Sequence, residues 1–254
     1  MAQGLPGADS STSVTTSMIH GASALLGATP VFWGRYFSSI TAVGKVEYRH
    51  AVENPVLNAA GIRLLPVARQ TGNVNGSRQQ GVADGVANAQ DYIQTFGPQI
   101  LRQQGGRFYM FLDVEGSPSL SADYFAGWAQ GLAQESASLS AGSVALLPCV
   151  YATQSDRATW IAVAAAMAAG TQCHGAWIAR YATGQCSMGA WEPAIVTPAA
   201  PVPFPCPILV WQYAGNCMGG QIDCSQTNPG IDVNGQLLAF LVLPPAQMAV
   251  TSIT

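Results

Sequence analysis

The stretch Phe108-Tyr109-Met110-Phe111-Leu112-Asp113-Val114-Glu115 decides how this chain is read. Side chains alternate between the two faces of a β-strand. One face of this segment carries Phe108, Met110, Leu112 and Val114, all apolar and suited to packing under helices. The other carries Tyr109, Phe111, Asp113 and Glu115, turning from aromatic to acidic toward its C-terminal end. In a parallel barrel that second face points inward, and its acidic end opens at the C-terminal mouth, where such folds place their functional groups. Two carboxylates at this spacing have Cα atoms about 7 Å apart. Acetal hydrolysis needs such a pair, a protonated acid for the leaving group and a carboxylate for the developing positive charge. Partial burial and mutual repulsion raise one of the two pKa values and supply the acid.

Outward from this segment, strand-like apolar runs alternate with helix-like stretches, which predicts an α/β fold with a parallel sheet. The runs cover residues 31–37, 62–68, 144–151, 176–181 and 208–213, with a weaker first strand at 5–9 and a short last one at 231–233. Together with 108–115 they give the eight strands of a (β/α)8 TIM barrel, here an irregular one. Asn54 and Pro55 fit a helix start and Gly61 its end. Val82, Val86, Ala89, Ile93 and Phe96 form one helical face ended by Gly97-Pro98. Ser121 fits as the cap of a helix carrying Tyr124, Phe125, Trp128 and Leu132, Ser155 or Asp156 as the cap of the next, and 18–26 is a weaker helix. Residues 184–207 and 215–229 resist this scheme and are expected as long cysteine-containing loops at the C-terminal face. A single domain over 1–247 and a short tail at 248–254 are expected.

Composition narrows the function. Charged residues make up 9% of the 254 residues and the net charge is −3, with no basic run, so nucleic acid is not an expected partner. A surface of Gln, Ser, Thr, Asn, Gly and Ala suits a secreted protein, a component of a larger assembly or a polysaccharide binder. No apolar stretch is long enough for a membrane span. The opening residues Met1 to Asp9 carry no basic run followed by an apolar one, so no signal peptide is read there. A removed leader, another export route and retention in the cell all stay open. Five of the six cysteines, Cys173, Cys186, Cys206, Cys217 and Cys224, fall late in the chain, without a Cys-x-x-Cys pair, so disulfides are expected and a metal site is not. Cys217 with Cys224 and Cys173 with Cys186 are pairings of suitable spacing, the assignment staying open. Cys149, inside an apolar strand, reads as a buried free thiol. Disulfides lean toward an extracellular or cell-envelope setting.

Several segments in order resemble the family 25 glycoside hydrolases, the lysozyme-type muramidases. They resemble still more closely the uncharacterised glycoside-hydrolase-like TIM-barrel domains of secreted bacterial proteins. Gly7-Ala8-Asp9-Ser10-Ser11 is similar to the opening strand, Phe111-Leu112-Asp113-Val114-Glu115 to the catalytic strand, and Val150-Tyr151-Ala152-Thr153 to the next strand end. Trp177-Ile178-Ala179-Arg180-Tyr181 and Trp211-Gln212-Tyr213 resemble the late aromatic strands, and Ile231-Asp232-Val233-Asn234 the closing one. Phe32-Trp33-Gly34-Arg35-Tyr36-Phe37, the run 60–67 and the stretch 81–89 match the uncharacterised branch. The loop 184–207 and the cysteine-rich segment depart from the pattern.

The resemblance implies Glu115 as general acid, Asp113 as its assistant, and Asp9 and Asp232 as acids lining the same mouth. Tyr36, Arg35, Tyr151, Trp177, Tyr181, Trp211 and Tyr213 are the implied substrate-binding residues, the aromatic ones by stacking on sugar faces. Arg35 and Arg180 have a second reading as partners of these acids. No cofactor is implied. The implied activity is cleavage of β-1,4 bonds in peptidoglycan amino sugars. The alternative is a non-catalytic glycan-binding or structural barrel in a phage tail, secretion apparatus or other extracellular assembly with further protein subunits.

Overall fold

The computed structural model describes residues 2–38, 47–69, 72–115, 118–182 and 184–246; the tail expected at 248–254 lies outside them. Eight strands close into a barrel in chain order: β1 (Pro6–Asp9), β2 (Phe32–Ser38), β3 (Arg63–Arg69), β4 (Arg107–Val114), β5 (Ala145–Thr153), β6 (Ala176–Ala179), β7 (Ile208–Asn216) and β8 (Ile222–Thr227). Helices alternate with them on the outside: α1 (Thr16–Leu26), α2 (His50–Ala59), α3 (Arg78–Phe96), α4 (Pro98–Gln103), α5 (Ala122–Leu139), α6 (Arg157–Ala168) and the single turn α7 (Pro193–Val196). The fold is the expected (β/α)8 TIM barrel, with one irregularity at its closure. Among the described residues, no helix is long and apolar enough to cross a membrane.

The helices start where side chains can satisfy free backbone N–H groups. Thr15, Ser77, Ser121 and Asp156 each accept a hydrogen bond from the backbone N–H three residues on. The helix α2 departs from its expected start at Asn54 and begins a turn earlier, leaving Pro55 inside it. The cause is Glu53, whose carboxylate accepts the backbone N–H of Arg49 at 2.8 Å and so caps the helix from within.

Alternation sorts the strand residues into two apolar layers. Phe108, Met110, Leu112 and Val114 of β4 face outward with Trp33, Leu64, Val150 and Ile178, and pack under the helices. Tyr109 and Phe111 face inward with Phe32, Leu65, Val67, Leu147 and Val210. Burial of each large side chain is worth about 1.5–3 kcal/mol relative to exposure. Leu237 and Leu241, both fully buried, close the base of the barrel. There Phe240 stacks on Tyr109 at 4.7 Å, and the Tyr109 hydroxyl donates to the Gln236 carbonyl at 3.0 Å.

The closing strand is not the expected segment. Residues 231–233 form no strand; Asp232 is exposed just ahead of a short helix, Val233–Gln236. The eighth strand is Ile222–Thr227, which runs antiparallel to both β7 and β1. The short link from β7 dictates this direction, because a parallel neighbour requires a crossover of a dozen or more residues. The reversal uses left-handed backbone at Asn216, Met218, Gly219 and Gly220.

The cysteine pairing also differs from the spacings considered. Cys186 is bonded to Cys217, while Cys149, Cys173, Cys206 and Cys224 are buried free thiols. Cys224 is buried on the outward face of β8, and Cys186 instead reaches Cys217 at the start of the β7–β8 turn.

Candidate functional site

The inward side chains at the C-terminal ends of the strands converge on four carboxyl groups. Asp9 ends β1, Asp113 is the penultimate residue of β4 and Glu115 directly follows that strand, and Asp223 lies on β8 directly opposite Asp9 in the register. Asp9 and Asp113 are each 3% exposed, whereas Glu115 is half-buried at the mouth. Gly34 on β2 makes room at this level, since a Cβ there would lie 2.6 Å from the Asp9 Cβ and 3.0 Å from the Trp177 ring.

A hydrogen-bonded chain spans the barrel through these groups. The Tyr151 hydroxyl donates to Glu115 Oε1 and has Gln212 Oε1 within reach at 2.8 Å. The Tyr181 hydroxyl donates to the same Gln212 oxygen at 2.8 Å. The Gln212 amide nitrogen turns the other way, to Asp9 Oδ2 at 3.1 Å and Asp223 Oδ2 at 3.4 Å. A phenol has one hydrogen, so Tyr151 suits both states of Glu115. It donates to the carboxylate, or accepts from the carboxylic acid while donating to Gln212.

Burial raises the pKa of Glu115; the Tyr151 hydrogen bond lowers it in part, Asp223 raises it further and Arg69 opposes. Asp9 is pushed well above the ordinary carboxylate range by burial and then by Asp223, against the Gln212 hydrogen bond. Burial also raises Asp223, with the Asn216 N–H opposing. Burial therefore shifts these carboxyl groups toward the protonated form, the direction a general acid requires. Arg69 at the end of β3 lies over the Tyr36 ring at 5.4 Å and brings a positive charge to the same rim.

The residues predicted from sequence divide clearly by position. Asp9, Asp113, Glu115, Tyr36, Tyr151, Trp177 and Tyr181 gather at the mouth or directly beneath it. Tyr151 and Trp177 are almost fully buried and packed together at 4.3 Å, so they form the floor, while Tyr36 is partly exposed and Tyr181 is 48% exposed at the rim. Trp211 and Tyr213 lie on the outward face of β7: the Trp211 indole donates to the Arg180 carbonyl at 2.8 Å and its ring meets Trp191 edge-on. Arg35 also faces outward, fully buried in an ion pair with Glu53 at 2.7 Å, and donates to the Ser10 and Glu47 carbonyls. Asp232 lies at the base of the barrel, because the antiparallel β8 returns the chain there before that residue. Alternation explains the outward residues: β7 turns Val210 and Gln212 inward, and β2 turns Gly34 and Tyr36 inward.

Three residues at the site were missed. Arg69 stands two positions past Val67 on the same face, and Gln212 sits between two aromatics that point away. Asp223 lies in a segment whose apolar Ile222 and Cys224 face outward and whose polar Asp223 and Ser225 face inward. In each case alternation was the available signal.

A pocket of about 220 Å³ at the mouth is lined by Glu115, Thr153, Ala179, Arg180 and Tyr181. Larger grooves, about 490 Å³ between α5 and α6 and about 590 Å³ beside Tyr48 and His50, lie outside the barrel and touch none of the acids. Their size reflects gaps between helices, so the site is placed by the acids. Among the described residues, no group of three or more His, Cys, Asp or Glu is arranged to hold a metal ion.

No protein-family model matches the chain, and no curated protein matches it in sequence. Among solved structures, an uncharacterized B. stearothermophilus protein is similar, with a TM-score of 0.65 at 23% identity over 94% of this chain and 100% of that one. The Clostridium perfringens spore cortex lytic enzyme SleM is similar with a TM-score of 0.52 at 15% identity, over 90% of this chain and 68% of that one. This chain shares the barrel fold of both.

Proposed function

We propose that the barrel mouth is a glycosidase site acting on a β-1,4-linked amino-sugar glycan of the peptidoglycan kind. Glu115 is the general acid, protonating the leaving oxygen, and Asp113 supports the oxocarbenium-like state or holds the substrate's N-acetyl group. Asp9 and Asp223 tune the site through Gln212, and Tyr36 and Tyr181 are the rim aromatics for sugar faces. The observation that carries this reading is Glu115 itself. It is half-buried, raised by desolvation, bonded to Tyr151 and exposed to the mouth pocket. The likeness to a spore cortex lytic enzyme supports the choice of glycan. A disulfide supports a location outside the cytoplasm.

The test is release of reducing ends from purified peptidoglycan. Glu115→Gln is expected to lower kcat by roughly 10²–10⁴, the usual worth of a general acid. Wild-type activity is expected to fall as pH rises through the raised Glu115 pKa. Full activity in Glu115→Gln removes Glu115 as the acid.

The small mouth pocket favours a second reading, a barrel that binds glycan or serves in an extracellular assembly without cleaving. A pocket of about 220 Å³ is below the roughly 300–1,000 Å³ that engulfs a ligand. Saturable glycan binding by the wild type with no new reducing ends would establish it.

A further inference from the structure

Among the described residues, the β6–β7 crossing carries only a single turn of helix, α7. Few local hydrogen bonds hold such a segment, so side chains must fix it. At its upper end Cys186 is bonded to Cys217, and the Tyr213 hydroxyl donates to the Cys186 carbonyl at 3.4 Å. In the middle, Trp191 meets Trp211 edge-on at 6.0 Å. Lower down, Phe204 meets Trp160 edge-on at 5.2 Å. At its lower end stands Cys206, whose sulfur lies 3.8 Å from that of Cys173.

We propose that Cys173 and Cys206 are an oxidisable pair, forming a second disulfide that clamps the foot of this crossing in the mature protein. Three observations carry it. The sulfurs are already in van der Waals contact and need approach by only about 1.8 Å to reach bonding distance. The two residues precede paired strands, Ala176 of β6 being in register with Ile208 of β7 and its N–H donating to the Pro207 carbonyl at 2.8 Å. Neighbouring strands run at a spacing of about 4.8 Å, within the Cα separation a disulfide tolerates. Finally, Cys173 and Cys206 are each 7% exposed, whereas Cys149 and Cys224 are wholly buried, so this pair is the more accessible to an oxidant.

The oxidant is a low-molecular disulfide such as glutathione disulfide. One cysteine, as the thiolate, attacks a sulfur of that disulfide, breaking its S–S bond and releasing one glutathione thiol. The second cysteine loses its proton to solvent and displaces the other glutathione. Two cysteine thiols are thereby oxidised to one S–S bond, and glutathione disulfide takes up two electrons and two protons to become two thiols. Because Cys173–Cys206 and Cys186–Cys217 overlap along the chain, the two bonds together fix the crossing at both ends.

The test uses the full chain, incubated with excess glutathione disulfide over glutathione, quenched in acid, unfolded and alkylated with N-ethylmaleimide. Peptide mapping is expected to find maleimide only on Cys149 and Cys224 and a linked Cys173–Cys206 peptide. The oxidised protein is expected to melt about 10 °C above a Cys173→Ser/Cys206→Ser variant, from closure of a loop of roughly 30 residues. Maleimide on all four free cysteines with Cys186–Cys217 intact overturns the proposal. So does a stable glutathione adduct in place of the linked peptide, or a linkage involving Cys149. The mapping on the wild type decides the matter even where the serine variant fails to fold.

Discussion

The α3–α5 side of the barrel and the β6–β8 side are held by opposite means. On the first, two long helices approach until their backbones touch. A Cβ at Gly81 or Gly85 of α3 would lie 2.2 Å from a carbonyl oxygen of α5, and one at Gly127 or Gly131 would lie 2.0 or 2.3 Å from one of α3. Polar groups buried by this approach find partners across it: Tyr124 donates to Asp84 at 2.6 Å and Trp128 to Asn88 at 2.9 Å. On the second side no long helix is available, and the crossing is fixed by a disulfide and by aromatic rings meeting edge to face. A regular layer is secured by removing side chains, an irregular one by adding bonds. The first arrangement fails all at once when a methyl group is inserted; the second comes apart locally.

That contrast can be broken on its regular side by Gly85→Val. The branched side chain has backbone on its far side and nowhere to go, so the cost is expected to exceed about 3 kcal/mol, the upper end for overpacking. Urea unfolding would then find little or no folded protein, and a midpoint unchanged from wild type would show that the helices can separate freely. A smaller effect is expected on the irregular side. Replacing Cys186 and Cys217 by serine should lower stability by about 2–3 kcal/mol, within the usual range for a lost disulfide. Hydrogen exchange should rise in the crossing while α3 and α5 keep their protection. Equal loss of protection in both regions would deny the difference between them.

The smallest change is expected from Asp9→Asn at the seam of β1 and β8. The folded pKa of Asp9 lies above its unfolded value, so protonated Asp9 favours the folded state. That contribution is full below the unfolded carboxyl pKa of about 4 and is lost as pH rises through the folded value. Wild-type stability should therefore decline over that window and that of Asp9→Asn should stay flatter, as denaturant midpoints across pH would reveal. Parallel profiles for the two proteins would place the raised pKa on another group.

The regular side was legible from sequence because its physics is local. Ser121 and Asp156 cap the helices they precede, and strand β4 sorts its apolar and acidic faces by simple alternation. Alternation also turned Asp113 and Glu115 toward one mouth, while Asp9 was named through the family resemblance. The seam was illegible because its decisive choice is topological. Ile231 and Val233 look like a strand around Asp232, while the true β8 is polar enough to read as a loop. Only a short reversal after β7, built on left-handed residues including non-glycine Asn216 and Met218, makes the polar segment the closing strand. The same change of direction exchanges Asp232 for Asp223 at the mouth. Arg35 was placed at the mouth although alternation with the inward Gly34 and Tyr36 turns it outward, where it pairs with Glu53 from a helix eighteen residues on.

The antiparallel β8 also decides where the molecule can be handled. Because it descends, the chain leaves the barrel at its base, where the Pro244 and Leu243 carbonyls accept from Asn58 and Gln104. The opening strand rises from that same base, with the Thr227 N–H donating to the Leu5 carbonyl at 2.9 Å. A fluorophore, affinity handle or surface tether grafted near Leu5 or Pro244 would thus stand behind the barrel, leaving the acidic mouth turned toward whatever is presented to it.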